Sequence, residues 1–168
     1  MIDWLYTKIG VFIASIMLLV SLLGLLSAMN GVLRDSQAEN IATRVAETID
    51  GIGAARGELR LTVTVARPGE REGLPRTLLG EPYGLRVFWD SVWVVRASDP
   101  DRPWRTAPLL HPLYTSPAPT DPTEADLRIL EIRSLTAGFT VDPLRDFSVD
   151  RRLVTTDHGA SYRTFIYL

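Results

Sequence analysis

The residues able to do chemistry are few and scattered. There are two histidines: His111 precedes Pro112, and His158 sits in the run Asp157-His158-Gly159. Neither has a second histidine beside it, as an ordinary metal site of imidazoles and carboxylates would require. The chain has no cysteine, which excludes disulfides, thiolate zinc sites and cysteine nucleophiles. Asp157, His158 and Ser161 are the residue types of a hydrolase triad, in which an imidazole oriented by a carboxylate deprotonates a serine. Such triads are set by geometry and not by adjacency, and no Gly-x-Ser-x-Gly elbow occurs. Asp99 and Asp101 flank Pro100 as a solvated turn, since a calcium loop needs more oxygen ligands at fixed spacing. No phosphate-cradling glycine loop is present. Asn30 and Asn40, the only asparagines, lie outside any Asn-x-Ser/Thr acceptor. The expectation is a non-enzymatic chain with no catalytic residue, no cofactor and no metal.

Charge excludes another class. The 18 basic and 20 acidic residues leave a net charge of −2, without the basic patch that nucleic-acid binding needs.

The strongest signal is physical, not catalytic. Ile9 to Leu33 carries no charged residue. As a helix this run spans about 37 Å at 1.5 Å per residue, enough to cross a hydrocarbon core of about 30 Å with some tilt. A cleaved secretory signal has a shorter apolar region of about 7–15 residues and a small-x-small cleavage site. A buried core helix would rarely stay uncharged for so long. The lipid bilayer is therefore the first expected partner. Trp4, Tyr6 and Lys8 precede the run, where amphipathic and snorkelling side chains favour the headgroups. Small residues recur at four-residue spacing, Gly10 with Ala14, Gly24 with Ala28 and Ser27 with Gly31, a pattern that lets membrane helices approach closely.

The helical pattern continues beyond Arg34. Ala38, Ile41, Ala42, Val45 and Ile49 fall on one face, with Arg34, Asp35, Glu39, Arg44 and Glu47 largely off it. No proline interrupts residues 1–50. The spacing predicts one helix from near Asp3 to near Ile49, ended by Gly51, Gly53 and Gly57. Once outside lipid, the stripe of Ile41, Val45 and Ile49 must bury against a sheet. Three segments follow: 1–33, tail and transmembrane helix; 34–50, its amphipathic continuation; 51–168, a β-rich domain.

That last segment reads as strands and turns. Glu58 to Ala66 alternates, with Leu59, Leu61, Val63 and Val65 on one face, and predicts a half-buried strand. Tyr83–Trp89 and Val92–Ala97 predict a hairpin about Asp90-Ser91. Leu127–Arg133 is a further strand candidate. Leu153–Thr156 and Tyr162–Tyr167 predict a terminal hairpin about Asp157-His158-Gly159. Pro112 to Thr123, with four prolines, predicts an exposed loop. Trp89, Trp93 and Trp104 read as core residues of strands, with Trp104, between Pro103 and Arg105, the best placed for exposure. Trp93 and Trp104 are the candidate partner-binding side chains.

A long helix, apolar and then amphipathic, followed by a β domain resembles a type IV pilin. Leu74-Pro75, then Gly80-Glu81-Pro82-Tyr83-Gly84-Leu85-Arg86-Val87, then Ser91-Val92-Trp93-Val94-Val95 resemble the archaeal pilin-like pattern, in which Leu-Pro and Gly-x-x-Tyr precede a strand, a tight turn and another strand. In that pattern the glycine and proline permit the turn, and the tyrosine sits half-buried with a wet hydroxyl. The pattern departs from processed pilins at Met1 to Lys8, a poor match to a basic leader ahead of Ile9-Gly10, and in having no glutamate within Gly10 to Ala14. The resemblance implies an α+β, pilin-like fold on the cell surface. It implies an uncleaved surface protein or minor component of a pilus-like assembly, with other pilin-like subunits or assembly machinery as partners through the N-terminal helix. Two other readings are a solitary anchored binding or sensor module and, more remotely, an anchored hydrolase.

Overall fold

A computed structural model of the chain describes residues 2–64, 73–116, 119–120, 122–142 and 145–167, with the side chains of residues 2–5 and 7 set aside. The side chain of Trp4, and Val65 and Ala66 at the end of the expected first strand, lie outside the described residues. The fold is α+β: one long N-terminal helix and a domain of mainly antiparallel strands. The chain divides into two compact units, residues 1–36 and 37–168.

The first helix, α1, runs from Ile2 to Gly53. It passes the expected end near Ile49, and Gly51 and Gly53 are helical instead of terminating it. Glycine costs a helix only about 1 kcal/mol relative to alanine, and tertiary contacts described below hold the last turn. Gly57, with φ +125°, supplies the exit instead.

Within the second unit, Ala38, Ile41, Ala42, Val45, Ala46, Ile49 and Ile52 form a buried stripe at helical spacing. That stripe packs into one core with residues of two sheets, among them Leu85, Val87, Val92, Val94, Phe147, Val149 and Ile166. Sheet one has the order β1 (Leu59–Val63), β8 (Phe147–Thr156), β9 (Gly159–Tyr167), β6 (Leu113–Tyr114). Its pairs are antiparallel except β6 with β9. Sheet two has the order β2 (Thr77–Leu78), β3 (Glu81–Val87), β4 (Ser91–Arg96), β5 (Asp99–Pro108), with β7 (Phe139–Val141) also on β3.

Strand alternation sends Phe165 to the opposite side of sheet one from Ile166. There Phe165, Tyr114, Val154 and Leu127 make a second cluster, with Trp89 and Leu130 against it. Leu127 belongs to α2 (Glu124–Thr136), capped by Thr123 and Asp126 in a reciprocal box. The expected strand at Leu127–Arg133 is thus a helix. Apolar residues lie on both its faces, so the helical period was hidden, whereas the Thr-x-x-Asp cap was visible beforehand.

Other expectations need correction. The loop expected over Pro112–Thr123 contains the buried strand β6, because the backbone of Leu113 and Tyr114 pairs with Thr164 and Phe165. Asp99 and Asp101 lie in β5, not a turn. Pro100, Pro103 and Pro108 are tolerated there because β5 is an edge strand with a bulge-like shift opposite Val95. The first strand forms as the edge of sheet one; Leu59 and Leu61 on the expected inner face are 46% and 44% exposed, and Val63 of that face packs against the core. Both expected hairpins form, the terminal one over more residues.

Candidate functional site

The apolar part of α1 is the first candidate. In Lys8–Gly53, the most apolar 18-residue window has a mean hydropathy of 2.7 and none of its residues is buried. One helix is therefore long and apolar enough to cross a membrane. Its large side chains, from Val11 and Phe12 to Val32 and Leu33, are all roughly half exposed or more. Fully burying one such side chain is worth about 1.5–3 kcal/mol at most, so the segment favours an apolar environment over water. Ser15 and Ser21 donate their hydroxyls to the Val11 and Met17 carbonyls at 2.8 Å, which removes their cost in hydrocarbon. Gly10, Gly24 and Gly31 have open space where a side chain would be; Ala14, Ser27 and Ala28 are exposed on the same helix. Tyr6 and Lys8 are exposed near its start. Ile41, Val45 and Ile49 are 5%, 1% and 0% exposed and belong to the main core.

The second candidate surrounds the end of α1. The Asp50 carboxylate accepts from the backbone N–H of Leu110 and of His111, both at 2.9 Å, and lies 3.3 Å from His111 Nδ1. Arg151 donates to the Gly53 carbonyl, and its guanidinium lies over the Tyr162 ring. A Cβ on Gly53 would stand 2.7 Å from that of His111. His111 is thus part of a latch joining the helix end to the segment before β6. Sequence reasoning missed Asp50. An acidic residue in the last turn of a helix opposes the macrodipole, and that misplacement was the signal of an outside partner.

The third candidate is an open groove of about 700 Å³ between the start of α2 and the β8–β9 turn, with Thr123, Glu124, Arg128, His158, Ser161 and Arg163 on its walls. It brings Asp157, His158 and Ser161 to one rim. Asp157 Oδ2 is 4.0 Å from His158 Nε2, and both side chains are mostly exposed. Asp157 instead accepts from the Glu124 N–H at 3.3 Å, helping to cap α2. No hydrogen bond joins His158 to Ser161 among the described residues, and the three make no relay. No group of three metal-ligating side chains occurs among the described residues.

Trp89, Trp93 and Trp104 are half-buried and packed. Trp93 lies 4.4 Å, centroid to centroid, from Phe88. Trp104, the residue singled out for exposure, packs against the main core with the Arg96 guanidinium 4.7 Å over its ring. Trp89 meets Tyr114 edge-on.

The Leu-Pro and Gly-x-x-Tyr residues form one local unit. Gly80 takes φ +83° between β2 and β3, a conformation costly for a side chain. Tyr83 is 2% exposed and donates its hydroxyl to the Pro75 carbonyl. The hydroxyl is therefore dry and not wet, and burial pushes its pKa up to about 12. No protein-family model, curated protein or solved structure matches this chain.

Proposed function

We propose that this protein is a non-enzymatic, membrane-anchored surface protein, a pilin-like minor subunit or assembly component of a type IV pilus-like system. The observation that carries the reading is one helix whose first part is apolar and exposed and whose last part, from Ala38 to Ile52, is buried in the core of a β domain. The lipid-soluble part holds the subunit in the bilayer, and its small residues offer a stripe for neighbouring helices. The domain then lies on the outer side of the membrane and presents its loops to the exterior or to neighbouring subunits. The link of Tyr83 to Pro75 supports the archaeal pilin-like resemblance, since it gives the quoted residues a shared structural purpose. The scattered histidines and packed tryptophans support a role in assembly over one in catalysis or ligand capture.

Single cysteines at Gly24 or Ala28, in a chain with no other thiol, test this. Disulfide-linked multimers in native membranes are the expected result. Only monomers after oxidation would sink the assembly role. The mass of the mature N-terminus then separates a permanent anchor, with Met1 to Lys8 retained, from a processed filament subunit.

A further inference from the structure

Among the described residues, the outer face of α2 has no partner. Leu127, Leu130 and Ser134 turn towards sheet one, while Ala125, Ile129, Ile132 and Thr136 point outward, Ile129 and Ile132 being 64% and 62% exposed. Their 4-3-4 spacing is that of a coiled-coil seam. Asp126 and Arg133 flank it on one side, and Arg128 and Leu135 on the other; all four are exposed.

We infer that this face is a contact between two copies of the chain, packed antiparallel along α2. The flanking charges choose both partner and direction. In an antiparallel pair, Ile129 meets Ile132 of the second copy, and Ala125 meets Thr136. Asp126 then lies beside Arg133 of the second copy, twice by symmetry, and Arg128 lies beside Leu135. A parallel pair would instead set Arg128 beside Arg133 of the second copy, a like-charge clash. Antiparallel packing also opposes the two helix dipoles. Small Ala125 and Thr136 at the ends let the helices approach.

Three apolar side chains per copy fall short of the roughly 1,000 Å² of a stable interface. The pairing is weak in free solution and depends on membrane confinement, which raises effective concentration towards about the millimolar range. In this respect it rests on the anchored reading above.

The test uses the full chain in lipid vesicles. Chains carrying Ile129→Cys are mixed with chains carrying Ile132→Cys, each with a different tag, and oxidised. A mixed disulfide in excess of the statistical proportion is expected. Adding Arg133→Glu to both chains should lower its yield about tenfold, from two attractive pairs turned repulsive; an unchanged melting temperature shows the fold is intact. Yields no higher than from Thr155→Cys, on the exposed β8–β9 hairpin, overturn the pairing. Shielding of Ile129→Cys from a soluble maleimide without disulfide formation also overturns it, and assigns the face to a different protein or to lipid. Gly24→Cys in parallel vesicles separates the two claims: transmembrane crosslinks without α2 crosslinks reject only this contact.

Discussion

At the residue scale, polar side chains here serve the fold. Asp50 neutralises two backbone donors of the segment before β6. Asp50→Ala is expected to cost about 1–3 kcal/mol, because the backbone N–H groups of exposed Leu110 and half-buried His111 then lose a charged acceptor; denaturant unfolding measures it. Gly53→Ala should cost about 1–3 kcal/mol, since the new methyl must displace His111, whereas Gly51→Ala, with open space around it, should be neutral or mildly stabilising. Tyr83 gives a pH signature. Its folded pKa, about 12, exceeds the ordinary value of 10.0, so the folded state holds the proton more tightly. The resulting stability is whole below pH 10.0 and is lost as pH rises towards about 12. Tyr83→Phe should flatten that alkaline fall, read as melting temperature against pH. Asp126 works in the opposite sense. Its hydrogen bonds from Thr123 lower its pKa, so its contribution is present above the ordinary value of 3.8 and fades as pH falls below it.

At the element scale, the two helices differ in how openly the sequence declared them. The stripe Ala38, Ile41, Ala42, Val45 and Ile49 was legible because helical period and burial coincide there. Ile49→Ala, at a fully buried position, is expected to cost 2–5 kcal/mol or about that, in a denaturant titration. Helix α2 was not legible, because Ile129 and Ile132 on its outer face hide the period that Leu127 and Leu130 set on its inner face. Strand β5 was missed for a related reason. Its prolines forbid a central strand, and only sheet order shows that it is an edge.

At the scale of the whole molecule, the chain divides into two compact units, residues 1–36 and 37–168, and they differ in apolar surface. The first exposes a run of large apolar side chains, while the second buries a core against two sheets and leaves others, Ile129 and Ile132 among them, exposed. Under the proposed anchoring, removing residues 1–33 should move the protein from the membrane to the soluble fraction with an unchanged far-ultraviolet spectrum of the domain. The full chain should stay with the membranes through an alkaline carbonate wash. Its release there as a monomer would contradict the anchor.

The amino-acid order alone determined the apolar helix, its amphipathic continuation, two hairpins and the absence of thiol chemistry. Each depends on local periodicity or composition, which no folding is needed to read. Tertiary structure decided the rest: the latch at Asp50, the dry hydroxyl of Tyr83, the pairing of Leu113 and Tyr114 with β9, and the packing of Trp93 and Trp104. Those outcomes depend on which distant segments meet. Contacts across 60 or so residues, such as Asp50 with Leu110, are set by the competition of whole surfaces for burial; local sequence can show Asp50 out of place at a helix end but does not name its partner.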